Sequence, residues 1–377
     1  LKMGALPLSG RLVYLDAARG ILMMLGVLLH AARLYDPQTD WLLHDDESHI
    51  AFRYLTEFIH FFRMPAFFVV SGLFCAIALE KYGRKQFLLK RLQRIVIPLM
   101  ATALVVNIPM SMFLLDWVGR EDFDWRVSEY WLNGRWVLHL WFLWFLVIFV
   151  VSAPVLTRSF FWRWLVRVQS HTLGAALFPL LFAAAVIVPQ YFPTLYRPIY
   201  FLGSPSDWMR LCVFFYFGLL LGARPDWHSA FVNTRWANVV LSLLILCLCF
   251  YRYDFAGERL LQRIVVEGLF GAGIFVAIHL LLSAFFRVFS SDRRAVRYLA
   301  DASFSVYLFH HGIVPVLGWL FIGLGLSIWF KFFLVVSITI AISLWLHHYL
   351  VLRSPLLRYL FNGVSMRTPK SVAALVA

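Results

Sequence analysis

Leu15 to Tyr35 reads LDAARGILMMLGVLLHAARLY. It is an apolar helix of membrane length that carries Asp16, Arg19 and His30 inside the run. On an α-helix Arg19 and His30 share a face, separated by about 16 Å along the axis. A charged group at such a position is costly and is expected to face a protein interior or a wet cavity. The rest of the chain is read as the structure that builds this cavity.

The surrounding composition sets the class. Of 377 residues, 62% are hydrophobic and only 14% charged, where a soluble domain has about 25% charged. Apolar runs of about 20 residues recur from end to end. The sequence therefore predicts an all-α polytopic membrane protein forming a single domain, 1–377, with no separate soluble part. Ten spans are expected, at 15–34, 50–79, 95–115, 137–157, 172–192, 205–223, 236–254, 262–286, 298–321 and 324–351, with a tail over 353–377.

A net charge of +14 would suit nucleic acid in a soluble protein. Here the bases sit in alternate loops, which points to a bilayer and away from nucleic acid. Lys81, Arg84, Lys85, Lys90, Arg91 and Arg94 follow span two, and Arg158, Arg163 and Arg167 follow span four. Arg287, Arg293, Arg294 and Arg297 follow span eight, and Arg353, Arg358, Arg367 and Lys370 lie in the tail. That side is expected to be cytoplasmic, with both termini on it. The opposite loops hold Asp36, Asp40, Asp45, Asp46 and Glu47, then Asp116, Glu121, Asp122, Asp124 and Glu129. Cys75, Cys212, Cys247 and Cys249 lie in apolar runs without zinc-ligand spacing and are expected as buried free thiols. No leader peptide is expected; the first apolar run reads as a span.

Further polar residues mark candidate sites. In span two, Glu57, His60 and Arg63 precede Pro65, and Ser71-Gly72 follows. Pro65 is expected to bend or break the helix, aiming Arg63 into a cavity or pairing it with Glu57. Residues 82–98 alternate bases with apolar residues, as an amphipathic helix on the inner leaflet does; Arg91 and Arg94 could also meet a phosphorylated ligand. Trp117, Trp125, Trp131, Trp136, His139 and Trp141 stand among carboxylates. They read either as an aromatic belt or as a sugar platform, with Asp45, Trp125, His139 and Trp141 as substrate contacts. Span nine opens DASFSVYLFHHGIV, with Asp301, Ser303, Ser305, Tyr307, His310 and His311. His347-His348 read as interfacial, and His279 as structural.

Four blocks resemble the integral-membrane acyltransferase-3 family. Leu15-Asp16-x-x-Arg19-Gly20 followed by His30 is similar to its arginine-ten residues-histidine signature. Phe62-Arg63-Met64-Pro65-x-Phe67-Phe68 through Ser71-Gly72 is similar to its second-span block. Arg91-x-x-Arg94-Ile95 with Pro98 resembles the basic loop, and Ser303-x-Ser305-x-Tyr307-Leu308-x-His310 the late span. Shorter cues, Phe58-Ile59-His60 directly before Phe61-Phe62-Arg63, His139-Leu140-Trp141-Phe142-Leu143, the doubled His310-His311 and Leu352-Arg353-Ser354-Pro355-Leu356-Leu357, resemble a branch that modifies periplasmic glucans. Leu346-His347-His348 stands where that branch is expected to carry a glutamate.

The resemblance implies an acyl-coenzyme A donor, a sugar hydroxyl acceptor, no permanently bound cofactor, no metal, and a bacterial inner-membrane location. Succinyl is the favoured acyl group and a periplasmic glucan the favoured acceptor. Acetylation of an exopolysaccharide or lipopolysaccharide, and glycan transport, remain open. His30 is expected as general base, with Arg19, His310 and His311 as its catalytic company. Arg19, Arg63, Arg91 and Arg94 are expected to hold the donor phosphates, since guanidinium forks onto phosphate oxygens, and Ser71 to meet the oxyanion.

Overall fold

A computed structural model describes residues 12–168, 171–233, 235–250, 257, 259–289 and 294–364. Arg293, Arg367 and Lys370, counted above on the inner side, lie outside them, as do positions 251–254 of the expected seventh span. The described residues form helices and no strand, as a bilayer requires of a chain that must satisfy its own backbone. The long helices are α1 (Val13–Arg33), α2 (Ile50–Thr102), α3 (Trp141–Leu156), α4 (His171–Tyr191), α5 (Pro205–Ala223), α6 (Trp236–Phe250), α7 (Leu260–Val288), α8 (Arg294–Phe321) and α9 (Ile328–Trp345).

At least seven helical runs among the described residues are long and apolar enough to cross a membrane. One, Ile50–Leu115, has 66 residues and would reach about 99 Å if straight, far beyond a hydrocarbon core of about 30 Å. It breaks at Gly83, whose φ of 68° is left-handed. A side chain there would meet no neighbour, so backbone conformation alone favours glycine. The two arms hold the expected second and third spans, and the stretch 84–98 is helical throughout.

The break is not where the sequence suggests. Residues around Pro65 keep helical backbone, and Gly83 is the one non-helical position in α2. Proline removes a single N–H. Met64, Ala66, Phe67, Phe68, Val69 and Val70 are all buried around it, so packing holds the helical frame. Glu57 pairs with Arg53 at 2.6 Å, one turn earlier on the same helix.

Contacts divide the chain into two compact units. The first holds residues 61–88 and 148–292 with the start of α1. Within it α2 and α5 cross in close backbone contact. A Cβ on Gly72 would lie 2.0 Å from the Phe215 carbonyl oxygen, and one on Gly218 1.9 Å from that of Val69. Gly222 meets Leu73 and Ala76 similarly. Gly218 and Gly222 are four apart, the small-residue spacing that lets membrane helices touch backbone to backbone. Phe178, Phe214, Phe217 and Phe275 fill the space beside this crossing, with ring centroids 4.8 to 6.0 Å apart.

The second unit holds residues 19–60, 89–147 and 294–364 of the described chain. Tyr35, Phe52, Leu115, Tyr130 and Val314 form its apolar core, and Gly318 of α8 lies against Leu34. Two π-helical turns, Ala103–Asn107 and Ser111–Leu115, continue α2. A third, Leu346–Val351, continues α9.

Two local expectations are corrected. His347 is fully buried, its Nδ1 2.8 Å from Ser305 Oγ. Its place near the end of a span does not reveal that other helices cover this side of α9. Cys247 is exposed rather than buried. It shares the outer side of α6 with Leu241, Leu244 and Leu248, where a thiol behaves as a small hydrophobe. His279 is structural as read, with Nδ1 donating to the Phe231 carbonyl at 2.6 Å.

Candidate active site

Four histidines meet inside the second unit. His30 comes from α1, His139 from the end of the 3-10 turn Arg135–Leu140, and His310 and His311 from α8. Their exposures are 8%, 5%, 0% and 3%. The His30 ring centroid is 5.2 Å from that of His310 and 4.7 Å from that of His311. His139 stacks on His311 at 4.4 Å with an interplanar angle of 11°. Helix α8 supplies two neighbours at once because positions 310 and 311 turn by about 100° and so reach different sides of the cluster.

Backbone carbonyls fix two of the rings. The Tyr307 carbonyl accepts from His310 Nδ1 at 2.7 Å and from His139 Nε2 at 3.0 Å. A carbonyl can only accept, so both of those nitrogens carry hydrogen. In the neutral ring this leaves His310 with Nε2 as its acceptor, and His139 with Nδ1. The Tyr307 hydroxyl returns a bond to the His139 carbonyl at 2.8 Å. Residue 139 is thus clamped from both sides by one residue of α8. Leu138, just before it, sits at φ 48° and ψ −125°, a strained conformation for a branched side chain. Asn107 helps hold this turn: its Nδ2 donates to the Val137 carbonyl at 2.9 Å and the Trp136 carbonyl at 3.2 Å.

A loop from α1 covers the rings. Trp41 stacks on His30 at 5.7 Å and 20°, and meets His311 edge to face at 5.7 Å. The Trp41 carbonyl accepts a hydrogen bond from Arg120 Nη1, which also pairs with Asp40 at 3.1 Å. Further along the loop, both carboxylate oxygens of Asp45 are bonded by Lys331 Nζ, at 3.1 and 3.0 Å. Each of those side chains is 3% exposed.

The remaining expected residues fall in several places. Arg19 is half-buried, with Nη2 3.4 Å from the Ala300 carbonyl. Arg91 is half-buried and Arg94 exposed. Arg63 and Ser71 belong to the first unit, where Arg63 is buried with Nη2 3.4 Å from Met64 Sδ. Trp125 packs against the apolar core with the Arg126 guanidinium 5.0 Å from its ring. Trp141 is half-buried, edge-on to Phe145 at 5.4 Å. The acidic loop around them is largely neutralised. Arg126 bonds Asp116 at 2.7 Å and holds that carboxyl below its usual range.

The expected sugar platform does not gather its members: His139 joins the imidazoles, and Asp45 is bonded to Lys331. Trp41, Asn107 and Lys331 are missed by the sequence reading. Asn107 and Lys331 had a signal, each being a polar residue inside an apolar run; Trp41 had none beyond its place in a loop.

The cluster can take a proton from a hydroxyl and return it, which is what acyl transfer between oxygen and sulfur needs. Among the described residues no group of three His, Cys, Asp or Glu side chains is arranged to hold a metal ion.

A family profile described as an acyltransferase domain matches residues 12–348. Glucans biosynthesis protein C of Escherichia coli strain K12 is 24% identical over 377 residues, covering 93% of this chain and 94% of that protein. The protein of the same name from Salmonella paratyphi B is 25% identical over 392 residues, covering 99% and 100%. No solved structure matches the chain.

Proposed function

We propose, on the premise that this chain belongs to the acyltransferase-3 family, that it moves a succinyl group from acyl-coenzyme A to hydroxyls of a periplasmic glucan. It is a membrane acyltransferase; donor, acyl group and acceptor are the added reading. A location in the inner membrane of a bacterium, ten spans and cytoplasmic termini go with it. The observation that carries the reading is the buried imidazole cluster, three helical turns along α1 from Arg19.

In this reading the donor's phosphates lie with Arg19, Arg91 and Arg94, on the side where loop bases gather. The thioester reaches the cluster through the extended arm of the donor. His30 removes the proton of the sugar hydroxyl as its oxygen attacks the thioester carbonyl. The carbon–oxygen bond forms, the carbon–sulfur bond breaks, and the proton passes from imidazole to the departing sulfur. His310 and His311 orient His30 by ring contact, and burial keeps water from competing for the acyl group. The names of the relatives support a glucan acceptor.

The test is thiol release by purified protein given succinyl-coenzyme A or acetyl-coenzyme A and a glucan. His30→Ala should lower turnover by about 10²–10⁴-fold while the protein stays monodisperse in detergent. Near-normal turnover by that variant would remove His30 from the chemistry. Thiol release with acetyl-coenzyme A alone would replace the succinyl reading.

A further inference from the structure

The first unit contains a cavity of about 400 Å³ where the end of α4, the segment 192–204 and the start of α5 meet. That volume is in the range of small-molecule sites. Pro189, Tyr196 and Pro198 line it together with Ser204, Ser206, Asp207 and Arg210. On the expected orientation this end of α4 and α5 faces outward.

The polar part of the lining is a connected network. Ser204 Oγ accepts from the Asp207 backbone N–H at 3.2 Å and donates to Asp207 Oδ2 at 2.6 Å. It also lies 2.8 Å from Ser206 Oγ. Arg210 bonds the other oxygen, Asp207 Oδ1. Ser204 and Ser206 are buried, while Asp207 and Arg210 keep roughly half-exposed side chains. The guanidinium and carboxylate cancel, so an anion gains little here and would meet the aspartate. What remains is a set of neutral and paired donors and acceptors around one aromatic face.

The stretch 191–201 is rich in exposed rings: Tyr191, Phe192, Tyr196, Tyr200 and Phe201. An interfacial belt accounts for exposed rings at a membrane edge. It does not account for the hydroxyl- and charge-lined cavity that Tyr196 helps to line. Tyr200 is held at φ 49°, a strained state for a bulky residue, and strain of this kind clusters at binding sites.

We propose that this cavity is a carbohydrate subsite that takes a neutral pyranose unit. The sugar's C–H face lies on the Tyr196 ring, and its hydroxyls bond the exposed edges of Asp207 and Arg210. The choice of sugar rests on the glucan reading above; the pocket chemistry does not.

The experiment is calorimetric titration of the full chain in nanodiscs with a linear glucose hexasaccharide, without donor, beside thiol release with the same acceptor. Tyr196→Ala and Arg210→Ala should weaken binding at least tenfold. Tyr196→Phe should bind like the parent, because the ring is kept. Equal binding by parent, Tyr196→Ala and Arg210→Ala, with transfer intact, would overturn the subsite and leave the glucan reading standing. Displacement of the sugar by inorganic phosphate would make it an anion site and overturn the proposal. A parent protein that neither binds nor acylates the hexasaccharide would overturn both.

Discussion

Replacing Lys331 with methionine would leave the Asp45 carboxylate buried without its cation. Both side chains are 3% exposed, and Nζ reaches the two oxygens at 3.1 and 3.0 Å. At an effective dielectric of 20 and 3 Å, the attraction is about 5–6 kcal/mol. Desolvation offsets much of that, so the pair itself adds little net stability. Removing one partner is different, and costs about 3–5 kcal/mol. The cost falls on the loop that carries Trp41 over the imidazoles, so transfer should fall together with thermal stability. Lys331→Met and Asp45→Leu should each lower the unfolding temperature and the turnover. The double variant, with no buried charge, should recover most of both losses. The assay is tryptophan-monitored melting in detergent beside thiol release, across the four-member cycle. This cycle also separates two roles for Asp45. If its carboxylate bound the acceptor, as sequence alone suggested, the double variant would regain stability without regaining turnover. That outcome, or single variants indistinguishable from the parent, would refute the strap reasoning.

Three further outcomes are expected. Tyr307→Phe removes the hydroxyl bond to the His139 carbonyl, worth about 1 kcal/mol net; turnover should drop severalfold with expression unchanged, read by thiol release per milligram of protein. Gly72→Ala would place a Cβ 2.0 Å from the Phe215 carbonyl oxygen, so the α2–α5 crossing must part; loss of the monodisperse peak on size exclusion checks this. Arg19→Lys loses the guanidinium fork and should raise KM for the donor more than for the acceptor; an effect confined to the acceptor would reverse the polarity assigned to α1.

The alternation of apolar runs and basic loops established the class, because a bilayer leaves a chain few ways to satisfy its backbone. The spacing of Arg19 and His30 was legible too, since it depends only on helix geometry within one element. His310 and His311 were legible as unusual polarity in an apolar run. Sequence could not show that His139, 171 residues before His310, completes the same cluster, since that depends on how a strained turn packs on α8. It misplaced the break in α2, because proline removes one bond whereas neighbouring packing decides whether the frame yields. It misread His347, because nearness to the end of a span does not tell whether other helices cover the side chain. Asp45 was visible as an acidic loop residue, but its partner Lys331 lies 286 positions away. Local chemistry is written along the chain; which groups neutralise or orient one another is set by tertiary packing, where low dielectric makes each pairing count.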